Sequence, residues 1–140
     1  MDTMAFIVGS DKFEKLMMSI ILSRTGVAMD VETHMFFTFW GLNLLRKGKA
    51  DKAKVQMPPG MRSLATWMMK RKMMKSGFKK PSEMLSELAQ TGKVHFHACS
   101  TTLELFGLKK EDLIPEVEDI VGAATFLDIA ADADKVLVLS

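Results

Sequence analysis

The sequence predicts an α/β protein with a five-stranded, mostly parallel sheet. Three observations predict it. Apolar runs of strand length alternate with helical patterns, the signature of β-α-β units. Five such runs can be placed along the chain. A length of 140 residues with 48% apolar content suffices for one sizeable core but not for two, so 1–140 is expected to form a single domain.

The first strand covers 4–8 and ends in Gly9-Ser10-Asp11, where glycine allows a tight turn and Ser10 or Asp11 is placed to cap the next helix. That helix is expected to run to about Thr25 and stop at Gly26, a residue suited to a left-handed helix end. A second strand over 31–37 leads into a short helix over 41–46. Residues 49–54 are charged and Met57-Pro58-Pro59-Gly60 is a breaker cluster, so about 49–80 reads as a loop and helical insertion. Within it, 61–75 is helix-compatible but untidy: Met61, Leu64, Ala65 and Met68 share a stripe from which Trp67, Met73 and Met74 depart. Lys70, Arg71, Lys72, Lys75, Lys79 and Lys80 make this Met-rich stretch basic, and it reads as a helix with a solvated basic face and a buried apolar one. Lys80-Pro81-Ser82-Glu83 opens a third helix, which runs to Gln90 and ends at Gly92. A third strand over 94–98, a helix over 102–106, a fourth strand over 116–121, an Ala-rich helix over 123–131 and a fifth strand over 135–139 complete the chain.

Composition narrows the function. Lys plus Arg number 19 against 17 for Asp plus Glu, a balance that gives no reason to expect a nucleic-acid partner. The longest uncharged run, 33–45, falls short of the ~20 apolar residues a membrane helix needs, so no membrane span is expected. One cysteine and a start without a basic and apolar leader point to a reducing, cytoplasmic setting. Thirteen methionines and a mean hydropathy of +0.10 are much for so small an interior, which points to a homo-oligomer.

The chemistry concentrates in 95–104. Side chains alternate across a strand, so His95, His97 and Cys99 are expected on one face and Val94, Phe96 and Ala98 on the other. Thr101 with Glu104 three residues later fits a capping box, making Thr101 the expected helix cap and setting Cys99 two residues before a helix start. Unpaired amides and the helix dipole there favour a thiolate, the reactive form of cysteine, and a protonated His97 would favour it further. Ser100, Thr101 and Thr102 are the supporting residues of this site, with His95 and Ser10 as outlying candidates. The competing reading of Cys99 is inert packing, since free cysteine is often buried. His95, His97 and Cys99 share a face, but a fourth ligand and zinc-type spacings are lacking, so no metal is expected. No CxxC pair, GxSxG elbow, Walker loop or GxGxxG occurs, and no cofactor is expected.

Three segments, 36–42 (FFTFWGL), 97–104 (HACSTTLE) and 122–127 (GAATFL), occur in an order that resembles the DsrE-like (DsrE/DsrF-like) sulfurtransferase family, and most of all its branch often labelled peroxiredoxin-like. The resemblance covers nearly the whole chain. It implies a three-layer α/β/α, DsrEFH-like and Rossmann-like domain that assembles into homo-oligomers. It also implies that Cys99 accepts sulfane sulfur as a persulfide, with TusA-like carriers and rhodanese-like donors as partners. This chain departs from some relatives in having no second cysteine and no fused TusA or rhodanese domain, so sulfur must pass to another molecule. Two alternatives stand beside the sulfur carrier: a peroxide- or redox-responsive thiol protein, and a non-catalytic oligomeric ligand-binding scaffold.

Overall fold

Alternating apolar and mixed positions fold into five strands, β1 (Thr3–Val8), β2 (Glu32–Phe37), β3 (Val94–Cys99), β4 (Val117–Val121) and β5 (Lys135–Leu139), in a computed structural model describing residues 1–140. All are parallel, in spatial order β4-β3-β2-β1-β5. The helices are α1 (Phe13–Ala28), α2 (Arg62–Lys75), α3 (Pro81–Gln90), α4 (Ser100–Leu105) and α5 (Ala123–Ala131), with 3-10 turns at Phe39–Leu45, Ala50–Lys52 and Lys110–Asp112. Helices lie on both faces of the sheet, giving the three-layer α/β/α arrangement.

The period-two pattern of the strands decides which face each side chain serves. Met35 and Phe37 of β2, Phe6 and Val8 of β1 and Phe96 of β3 enter the larger core with Leu16 and Ile20 of α1 and Leu85 of α3. Each such fully buried side chain contributes about 1.5–3 kcal/mol. The opposite face holds a smaller cluster of Ala5, Phe36, Cys99, Val121 and Phe126, with Phe36 stacked on Phe126 of α5 at 4.6 Å between centroids.

Four local expectations are corrected by tertiary contacts. Gly26 does not end α1; the helix continues to Ala28, and Asp30 at φ 59° reverses the chain. Position 26 is closely packed instead: a Cβ there would stand 2.7 Å from Met4 Cε, the mobile end of that side chain, and 3.4 Å from Thr33 Oγ1. Neither Ser10 nor Asp11 caps α1, whose N-cap position is Lys12. Ser10 Oγ instead accepts from Lys12 N–H at 3.2 Å, Asp11 accepts from Asn43, and the N–H of Phe13 donates to the Lys54 carbonyl at 2.9 Å. The methionine stripe of α2 is not its buried face. Met61, Leu64 and Met68 are exposed, while Thr66 is buried, accepts the Val55 N–H at 2.9 Å, and Ala65 and Met73 touch the core. Thr101 is not a helix cap either, because α4 begins two residues earlier than expected, at Ser100, with Cys99 in the N-cap position.

Candidate functional site

Cys99 is the last residue of β3 and the cap position of α4, so its sulfur sits where the sheet's carboxyl edge meets a helix start. The residue is 6% exposed and packs against the apolar cluster on the α5 side. Burial pushes the thiol pKa up. Donors from the Thr102 hydroxyl and N–H, the Thr38 hydroxyl and the Thr101 N–H outweigh that and hold it below the ordinary thiol value.

The donors are held by one another. Thr102 is buried, and its Oγ1 accepts the Phe39 N–H at 2.9 Å and lies 3.2 Å from Thr38 Oγ1. Phe39 has φ 48°, a backbone region that non-glycine residues seldom adopt, and this turns its amide onto Thr102. Gly41 makes the turn possible: a Cβ at that position would fall 2.0 Å from the Val8 carbonyl oxygen. The chain thus crosses the ends of β1 and β2 closely enough to set Thr38 and Phe39 beside α4, and Thr38 N–H donates to Val8 O at 3.0 Å.

The expected site residues divide. Thr102 and Thr101 join Cys99 as donors, and Thr38, absent from the sequence reading, joins them. Ser100 opens α4. Ser10 follows β1, two strands away from β3 in the sheet. His97 does not serve the thiol: its Nδ1 is 2.5 Å from Asp119 Oδ1 and its Nε2 2.9 Å from His34 Nδ1.

Those contacts belong to a second polar group on the same sheet face, toward the amino ends of the strands. His34 pairs in register with His95 across β2 and β3. A bulge sets Phe96 opposite Val117 but His97 opposite Asp119, so Glu118 is the extra residue and both acids reach the histidines. His95 Nδ1 is 2.6 Å from Glu118 Oε1, and its Nε2 is 2.8 Å from Glu32 Oε1. All three histidines of the chain are gathered here, His34 stacked on His95 at 4.6 Å and on His97 at 5.2 Å. Burial, then the neighbouring His95 and His97, hold the His34 pKa below its usual value, partly opposed by Glu32 and Glu118. Two sets bring nitrogen and oxygen ligand atoms within 4.8 Å of one another, Glu32 with His34 and His95, and His97 with Glu118 and Asp119. The pairing of β2 with β3 and the bulge, which create these sets, have no local sequence signal.

A three-layer α/β protein with a thiol set among threonine donors at the carboxyl edge of a parallel sheet is thus defined by fold and site together. The chain belongs to the DsrE/DsrF/DrsH-like family, whose model matches residues 1–138. It is 35% identical over 134 residues to the sulfur carrier protein DsrE2 of Allochromatium vinosum, covering 81% of this chain and 83% of that protein. It is 32% identical over 144 residues to the Bacillus subtilis protein YrkE, covering 90% and 88%. In fold it is similar to the protein of unknown function MTH1491 from Methanobacterium thermoautotrophicum, with a TM-score of 0.67 at 20% identity, covering 98% of this chain and 99% of that one. The E. coli ychN protein is likewise similar, with a TM-score of 0.57 at 19% identity and 99% of both chains covered. The family therefore includes a protein named as a sulfur carrier. No helix is long and apolar enough to cross a membrane.

Proposed function

We propose that this chain is a sulfurtransferase of the carrier type, which takes sulfane sulfur onto Cys99 as a persulfide and hands it to the thiol of another molecule. The observation that carries this reading is the set of threonine hydroxyl and amide donors that stabilises an anion on the Cys99 sulfur. The thiolate attacks the outer sulfur of a donor persulfide or thiosulfate. A new S–S bond forms to Cys99, the old one breaks, and the donor thiolate or sulfite leaves. An acceptor thiolate then attacks the same outer sulfur and regenerates the Cys99 thiolate. No oxidant is consumed, and no general base is needed, because both nucleophile and leaving group are anions.

The single cysteine requires that donor and acceptor be separate molecules, and TusA-like or rhodanese-like proteins suit both roles. Exposed Phe39, Trp40 and Leu105 border the threonine clasp and suit the docking of such a carrier. Exposed Val136 and Val138 on edge strand β5, with Leu127 of α5, support a homo-oligomer. In this reading residues 1–140 are one domain carrying 49–80 as an insertion, and the working compartment is the cytoplasm.

Intact-mass measurement after incubation with polysulfide or thiosulfate tests the proposal. The native chain should gain sulfur on Cys99 and lose it to added thiol, and Cys99→Ser should gain none. An adduct that survives the substitution, or a native chain that takes up only oxygen from peroxide, would overturn it.

A further inference from the structure

The histidine–carboxylate group toward the amino ends of β2, β3 and β4 is distinct from the thiol site and is built in two layers. With neutral rings, hydrogen-bond polarity fixes where each proton lies. Asp119 only accepts, so His97 Nδ1 carries a proton toward it at 2.5 Å, which leaves His97 Nε2 to accept from His34 Nδ1–H at 2.9 Å. Glu118 likewise takes the His95 Nδ1 proton at 2.6 Å. The two remaining nitrogens, His34 Nε2 and His95 Nε2, then carry lone pairs. Both lie beside the same carboxylate oxygen, Glu32 Oε1, at 3.5 and 2.8 Å.

Three acceptors facing one another repel unless a cation lies among them. A proton is a poor occupant: His95 Nε2 is buried and has no hydrogen-bond partner, because despite its 2.8 Å separation Glu32 Oε1 is not in hydrogen-bonding geometry. Lone pairs not directed at each other suit an ion set off the line between them. Ligand atoms about 2.1 Å from one ion stand about 3.0 Å apart in octahedral and about 3.4 Å apart in tetrahedral geometry, and the 2.8 and 3.5 Å found here lie just below and just above that interval. Orientation of ligating histidines by carboxylates through the opposite ring nitrogen is the usual outer shell of a metal site. His95 is oriented in this way by Glu118, and His34 through His97 by Asp119. Glu32, at 45% side-chain exposure, leaves a path from solvent.

We infer that Glu32, His34 and His95 form a binding site for a divalent first-row transition ion, a two-histidine, one-carboxylate set held by Glu118 and by the His97–Asp119 pair. Such a set takes Zn2+, Co2+, Ni2+ or Fe2+ in preference to Mg2+ or Ca2+, since imidazole nitrogen is a poor ligand for the hard cations. The site does not depend on Cys99, and the sulfur-carrier reading does not depend on it.

Titration of the untagged, metal-free chain with Co2+ and with Zn2+ tests the inference. One ion should bind per chain, with ligand-field bands for Co2+ and a raised melting temperature with Zn2+. X-ray absorption of the native chain should give nitrogen and oxygen neighbours only. Glu32→Gln and His95→Gln should each weaken Zn2+ binding at least tenfold, Asp119→Asn about tenfold through the outer shell, and Cys99→Ser should leave it unchanged. Absence of saturable binding, sulfur in the coordination shell, native affinity in Glu32→Gln or His95→Gln, or loss of binding in Cys99→Ser would each overturn it. The absorption measurement needs no variant, so a variant that misfolds does not blunt the test.

Discussion

Two polar regions share one face of the sheet and even one strand, since β3 supplies His95, His97 and Cys99 in alternation, yet their surroundings are opposite. Around Cys99 every polar neighbour that bears on its ionisation is a neutral donor, from Thr38, Thr101 and Thr102, and the region favours an anion. Around His34 and His95 the neighbours that bear charge are carboxylates, Glu32 and Glu118, and the region favours a cation. The difference teaches that strand alternation only delivers side chains to a face. What each one does there is set by the strands and turns on either side.

The largest expected way to break this contrast is Gly41→Ala. A Cβ 2.0 Å from the Val8 carbonyl must displace the turn that carries Thr38 and Phe39. Overpacking of this kind costs about 3 kcal/mol, read as a lower urea midpoint, and Cys99 alkylation should slow while Zn2+ binding persists. An unchanged midpoint would mean that the turn does not need the close approach.

Thr102→Val should act on the thiol region and leave the histidine group untouched. It removes a hydroxyl donor to sulfur and leaves the Phe39 N–H without its acceptor. The thiol pKa should rise, so alkylation at fixed pH near neutrality should slow by several-fold, the smaller thiolate fraction being partly offset by a more nucleophilic thiolate. A rate equal to that of the native chain would show that the hydroxyl does not hold the thiolate.

The smallest effect belongs to His34, whose folded pKa is held below the ordinary 6.5, first by burial. A base that is harder to protonate when folded favours the folded state fully above its unfolded pKa. That contribution is lost as pH falls through the depressed folded value, because the unfolded chain then binds the extra proton. The urea midpoint should therefore drop as pH falls below about 6.5 in the native chain, and drop less in His34→Gln, with alkylation of Cys99 unaffected. An identical pH profile in the variant would assign the dependence to other groups.

Much of the architecture was legible because it is written in local patterns. Residues 123–131 and 135–139 form α5 and β5 with the bounds expected from composition and turn signals, and the other strands agree within a residue or two. The thiol and its position at a strand-to-helix junction were legible too, as were Thr101 and Thr102 beside it. The ends of α1 were not, since Gly26 packs against Met4 inside the helix rather than ending it, and the α1 start is satisfied by Lys54 from the insertion. Thr38 and the role of His34 were missed for the same reason: each works through a partner on another strand or helix.

By itself the sequence determined the alternation of strands and helices, the single thiol, and the placing of His95, His97 and Cys99 on a common face, because period and composition act over a few residues. The tertiary structure decided who stands next to them. Thr38 meets Thr102 across 64 residues and His34 meets His97 across 63. Parallel strands pair only through crossovers that bring distant segments together, and neither their register nor the bulge at Glu118 is encoded in any short stretch of chain.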